Sequence, residues 1–232
     1  MNKLFFALIL FLMFSCEVQK LPADQLSNLK PVKLYDTTED YLNRKAREVD
    51  AGVLIKNQSN QHITIKGFFD LKTGLAIKRG ISAWAIEYDS SRYFNLGYTS
   101  VLNYWKSYAK FDIEGKYCAI IIDANSPNVL GVSSSNNNGG MLGLGSALAA
   151  ESVKWNKNWR DKDGIKKRVL FINTNNIAPQ IFSRNAGSPG EYLTRQDVRD
   201  LISILGLTLG DAKVNELPLE EVIFLIKKAN KK

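Results

Sequence analysis

The segment from Ile81 to Asp123 constrains the fold most, because it holds ten of the chain's 24 aromatic residues in alternating runs. Trp84, Ile86 and Tyr88 alternate with Ala85 and Glu87, the period of two that marks a strand with one buried face. Asp89 to Arg92 reads as a four-residue hairpin loop leading into Tyr93-Phe94-Asn95-Leu96. Ala109, Phe111 and Ile113 then alternate with Lys110, Asp112 and Glu114. A Glu114-Gly115-Lys116 turn precedes the nearly all-apolar strand Tyr117 to Ile122. The pattern predicts an antiparallel β-meander.

Residues 1–15, MNKLFFALILFLMFS, carry one early cation, Lys3, and an unbroken apolar run from Leu4 to Phe14. That run is too short to span a bilayer core and has the length of an export-signal h-region. It ends at Ser15-Cys16, and a small residue before a cysteine just after an apolar run resembles the lipobox of bacterial lipoproteins. Phe14 departs from the small residues common two positions before the cysteine. The resemblance covers the first 16 residues and implies cleavage before Cys16, a diacylglyceryl thioether on its thiol and acylation of its new amine. Several acyl chains hold a protein on a membrane stably where one binds reversibly. Residues 16–35, with Pro22 and Pro31 and little periodicity, read as a tether. The expected protein is exported and anchored in the cell envelope by Cys16, on a periplasmic or surface face.

The body, 36–232, reads as a single α+β domain in which helices cover the antiparallel sheet. Asp36 with Glu39 resembles a capping box, and Tyr41, Leu42, Ala46 and Val49 follow at helical spacing up to Ala51-Gly52. Val53 to Ile55 reads as a short strand. From His62 to Phe69, Ile63 and Ile65 alternate with His62, Thr64 and Lys66, which puts His62 on a wet face. Leu144, Leu148, Ser152, Trp155 and Trp159 share one face of an expected helix. Lys167 to Ile172 reads as a strand. Thr194 with Asp197 starts a helix that Gly206 stops, and Pro218 opens the last one, with Glu220 and Glu221 early and Lys227 and Lys228 late, as the helix dipole favours.

Few residues point to chemistry. One histidine, His62, and two cysteines give no metal-ligand spacing, so no metal is expected. Cys118 lies in an apolar strand, where a thiol behaves as a small hydrophobe. The glycine-rich stretch from Gly139 to Gly145 precedes a helix, an arrangement that can hold an anion on backbone amides. Ser146 stands where a Walker A loop has lysine, Leu148 where a dinucleotide fingerprint has its third glycine, and Leu144 and Leu148 where a nucleophile elbow has glycines. No cofactor is expected. Asp161 to Gly164 reads as a charged turn.

The formal net charge of +8 comes from basic residues scattered in short runs such as Lys166-Lys167-Arg168, which read as solvated surface. For an exported protein the available anions are lipid headgroups, phosphates and acidic glycans, not nucleic acid. Two functions follow as expectations. The first is a non-catalytic binding or assembly module for a glycan, peptide or partner protein, using Trp84, Tyr88, Tyr93, Tyr98 and Trp105 as ligand-binding rings. The alternative is a carboxylate-dependent hydrolase of envelope or dietary polymers, with Glu87 and Asp89 or Asp112 and Glu114 as candidate pairs. A pair facing across a cleft about 5–9.5 Å wide favours the hydrolase; an exposed row of rings favours binding.

Overall fold

A computed structural model describes residues 19–78, 80–99, 105–123, 158–177 and 187–232. Its strands are β1 (Lys30–Pro31), β2 (Lys33–Tyr35), β3 (Ala51–Gln58), β4 (His62–Asp70), β5 (Ala85–Tyr88), β6 (Ser91–Asn95), β7 (Ser107–Lys110), β8 (Tyr117–Asp123), β9 (Trp159–Arg160), β10 (Lys166–Asn173) and β11 (Glu191–Tyr192). The helices are α1 (Ala23–Leu26), α2 (Thr38–Leu42), α3 (Arg195–Ile204), α4 (Asp211–Glu216) and α5 (Leu219–Ala229). The class is α+β, built on antiparallel strand pairs. Among the described residues no helix is long and apolar enough to cross a membrane.

The first sheet runs β1-β3-β4-β7-β6-β5-β2. Its two edges, β1 and β2, are halves of one extended segment joined at Val32, so the sheet is nearly closed on itself. Pro31 donates no N–H, which suits the point where this segment leaves one neighbour for the other. Alternation decides what fills the interior. Val32, Leu34, Val53, Ile63, Ile65, Ile86, Tyr93 and Tyr108 point inward from successive strands and form one buried cluster. Register shifts at Leu54/Ile55 and Ile55/Asn57 supply the bulges that bend β3.

Residues of opposite parity face the second sheet, ordered β11-β10-β8 with β9 also on β10. Trp84, Ala85, Phe94, Ala109 and Phe111 from the first sheet pack with Cys118, Ile120, Ile122, Leu170 and Ile172 from the second. The other face of β8 and β10, with Tyr117, Ala119 and Val169, packs under α3 and α5 through Val198, Leu201, Val222 and Ile226. β8 is therefore covered on both faces, which is why its sequence is apolar without alternation.

Several expectations are corrected. Within the Ile81–Asp123 segment β5, β6 and β7 neighbour one another in chain order; β8 leaves the meander for the second sheet and pairs with β10 from Tyr117↔Asn173 to Asp123↔Lys167. The hairpin loop is two residues, because Tyr88 pairs with Ser91 and the chain turns through Asp89 (φ 48°) and Ser90 (φ 57°). Positive φ at both positions matches the right-handed twist of the flanking strands. The tether is shorter than expected, since residues 30–35 belong to the sheet and Lys20 bridges to Leu75. Thr37 and Asp40, not Asp36 and Glu39, form the first capping box, and α2 stops at Leu42 before Arg44 turns left-handed (φ 57°). His62 is 8% exposed, not on a wet face. Trp159 lies in β9, not in a helix, and 144–157 falls outside the described residues. The Thr194/Asp197 box is formed as expected, and Gly206 (φ 68°) follows α3.

Candidate functional site

A cavity of about 390 Å³ lies where β9, the start of β10, the N-terminus of α3 and the junction of α4 with α5 meet. Local rules place its residues. The Thr194 hydroxyl and the Asp197 carboxylate cap α3 reciprocally, which makes Arg195 the first helical residue. Helical side chains lean toward the N-terminus. Arg195 accordingly lies back over Trp159, its guanidinium carbon 3.3 Å from the indole centroid. Its Nη2 donates to the Asn158 carbonyl at 3.0 Å.

This guanidinium is short of partners. Nη1 is buried and, among the described residues, makes no hydrogen bond; the same holds for Nε1 of Trp159, a residue only 1% exposed. Among the described residues no carboxylate lies within ion-pair distance of Arg195. Burial, with help from the nearby Arg199 charge, lowers its pKa to about 10, so it is still a cation at neutral pH. Arg160 and Lys166 add two more cations to the cavity wall, opposed by Asp161 and Glu216. The Asp161 carboxylate is engaged: Oδ1 accepts the N–H groups of Asp163 (3.1 Å) and Ile165 (2.8 Å), and Oδ2 lies 3.8 Å from Lys167. Pockets of 300–1,000 Å³ with a few convergent polar groups are the usual setting for small ligands.

The rings proposed from sequence serve the core. Trp84 is fully buried, with Nε1 donating to the Ser188 carbonyl at 2.9 Å and its ring edge-on to Phe94. Tyr93 points into the first sheet, with the half-buried Tyr88 beside it, ring centroids 6.5 Å apart. Tyr98 is 9% exposed; its hydroxyl donates to the Ser82 carbonyl, and its ring meets the half-buried Trp105 edge-on. These five residues form no exposed row: Trp84, Tyr98 and Trp105 pack in the cluster shared with the second sheet, and Tyr88 and Tyr93 in the interior of the first.

Three of the four proposed carboxylates are also committed. Glu87 accepts from Lys33 Nζ (2.6 Å) and the Tyr35 hydroxyl (3.0 Å), and the Lys33 bond holds its carboxyl below the ordinary range. Asp89 occupies the turn, beside a second depression of about 340 Å³ at the rim of the first sheet. Asp112, an exposed residue, accepts the Ile121 N–H at 2.6 Å and so satisfies one donor on the outer edge of β8. Glu114 is held by the Tyr41 hydroxyl and Arg92, both at 2.8 Å.

Cys118 is buried, its thiol pushed up to about 12 by burial, and donates to the Gly115 carbonyl. A neutral thiol there is a packing residue. Among the described residues no group of three or more His, Cys, Asp or Glu side chains is placed to hold a metal ion. Cys16 and the Gly139–Gly145 stretch lie outside the described residues. No family model, no curated protein and no solved structure matches the chain.

Proposed function

We propose that the chain is a lipid-anchored bacterial envelope protein whose body is a non-catalytic binding or assembly module for a glycan, peptide or partner protein. The anchor rests on the export-signal-like residues 1–15 and the lipobox-like Ser15-Cys16. The binding role rests on one observation: the cavity beside Trp159 is bordered by a half-buried arginine that lacks a counter-ion among the described residues. The contact surface is moved from the aromatic segment to this cavity, because the aromatic rings are used in packing. Of the carboxylates named for hydrolysis, Glu87 is occupied by Lys33, Glu114 by Arg92 and Asp112 by a backbone amide, so neither named pair has both members free.

The test is chemical. The protein is expressed in a bacterial host with its own leader, and its N-terminal peptide is read by mass spectrometry. A peptide that begins at Cys16 and carries a diacylglyceryl thioether and an acylated amine is the expected product. Cys16→Ser should release the body from the membrane fraction. A water-soluble, unacylated protein that retains residues 1–15 overturns the anchored reading.

A further inference from the structure

We infer that the Arg195 cavity binds an oxyanion, carboxylate or phosphate, carried on a hydroxylated ligand about the size of one sugar unit. The inference rests on the binding-module reading and specifies its ligand. Four observations support it.

First, a half-buried guanidinium, with Nη1 shielded from solvent, has lost part of its hydration, which one carbonyl, Asn158 O at 3.0 Å, and an indole face replace only in part. An uncompensated charge in such surroundings projects its field into the adjoining cavity with less screening than a surface charge. Second, the Arg160 and Lys166 side chains line the same space, and the Arg160 Nη1 bond to the Gly164 carbonyl at 3.0 Å holds that second cation in place. Third, the acids are arranged unequally. Asp161 has its oxygens turned to backbone N–H groups and Lys167, which blunts its repulsion of an anion. Glu216, at the exposed end of α4, is not neutralised by an ion pair among the described residues. Its charge disfavours the anionic end of a ligand on that side. The oxyanion therefore sits at the Arg195 end, and hydroxyl groups meet Glu216 and Asn215, where a carboxylate and an amide can accept and donate. Fourth, Leu217 and Pro218 complete the wall with apolar surface suited to the C–H face of a pyranose. The volume of about 390 Å³ accommodates one such unit and little more.

The experiment is isothermal titration of the detergent-solubilised full-length protein with glucuronate, glucose 6-phosphate, inorganic phosphate and neutral glucose. One of the two anionic sugars should bind at least about tenfold more tightly than glucose and more tightly than inorganic phosphate. Raising salt from about 50 to 200 mM should weaken it. Glucuronate above the sugar phosphate identifies an acidic-glycan site; the reverse order identifies a phosphorylated-sugar site. Arg195→Gln should lower affinity about tenfold or more, and Arg195→Lys, which keeps the charge and loses the planar fork, by a smaller factor. Asn215→Phe fills the mouth from an exposed position without touching the Arg195–Trp159 stack, and should also abolish binding if Arg195→Gln fails to fold. Binding of all four probes at equal affinity, no binding at all, or Arg195→Gln and Asn215→Phe both within twofold of wild type overturns the inference. An acylated protein that binds none of these probes leaves the envelope-module reading standing, whereas an unacylated protein that binds an anionic sugar does the reverse.

Discussion

Asn230 caps the C-terminus of α5 and reaches across to the turn that starts β8. Its Oδ1 accepts the Tyr117 N–H at 2.7 Å, and its Nδ2 donates to the Tyr117 carbonyl at 2.8 Å and, more loosely, to the Glu114 carbonyl at 3.4 Å. The side-chain amide thus stands in for a missing strand neighbour and ties the last helix to β8, the outer strand of the second sheet. Asn230→Ala leaves the N–H and C=O of a buried residue, Tyr117, without their partners. Each unsatisfied buried group costs about 1–3 kcal/mol, and Asn230 is half-exposed, so water recovers part of the loss. The expected destabilisation is about 2–3 kcal/mol, or about 4–12 °C in Tm for a chain of this size. Urea unfolding followed by circular dichroism measures it. Asn230→Asp, which keeps the acceptor and loses the donor, should fall between wild type and alanine. Gly115 supplies a coupling test: it sits at φ 141°, and a Cβ there would meet the Asn230 side chain at 2.7 Å. Gly115→Ala should therefore cost less in the Asn230→Ala background than alone, because only the backbone strain persists. Asn230→Ala within about 0.5 kcal/mol of wild type, with an unchanged m-value, refutes the clamp.

The remaining predictions concern the hairpin, the buried histidine and the core. Ser90→Gly relieves a non-glycine residue held at φ 57° and should raise the urea midpoint by the equivalent of about 0.5–1 kcal/mol; a lowered midpoint contradicts the two-residue turn. Burial lowers the His62 pKa below its ordinary value, so below about pH 6.5 the unfolded chain takes up a proton that the folded one resists. Stability should therefore fall as pH drops from about 7 to 5.5, with a slope of up to about 1.4 kcal/mol per pH unit, and His62→Leu should flatten that slope; an identical profile in the variant argues against the buried placement. Gly187→Ala would drive a Cβ into the Trp84 indole at Cδ1, and should destabilise by about 1–3 kcal/mol and shift tryptophan fluorescence; a silent substitution means that Gly187 does not pack on the indole.

Alternation alone determines a good deal of this protein. The period-two runs at Ala85–Tyr88 and His62–Asp70 are strands, and the apolar run from Tyr117 is a strand covered on both faces. Thr194 with Asp197 marks a helix start and Gly206 its stop. These features are local: side-chain direction, a cap and a positive φ need only neighbouring residues. Which strand lies beside which is not local. Nothing near Glu114 states that β8 joins β10, some fifty residues away in sequence, or that residues 30–35 bridge both edges of the first sheet. Burial of His62 is of the same kind, since its environment is made by β7 across the sheet.

The cavity shows the same division more sharply. Lys166-Lys167-Arg168 looks like a solvated basic run, and Arg195 is one unremarkable residue after a cap. Trp159 was recognisable as a core residue, but its place in β9 and the guanidinium above it depend on the docking of α3 against the second sheet. Strand parity and helix punctuation are properties of the covalent chain; the placing of a half-buried cation on a cavity wall is a property of how distant segments meet, because burial is decided by every surface that closes over a group at once.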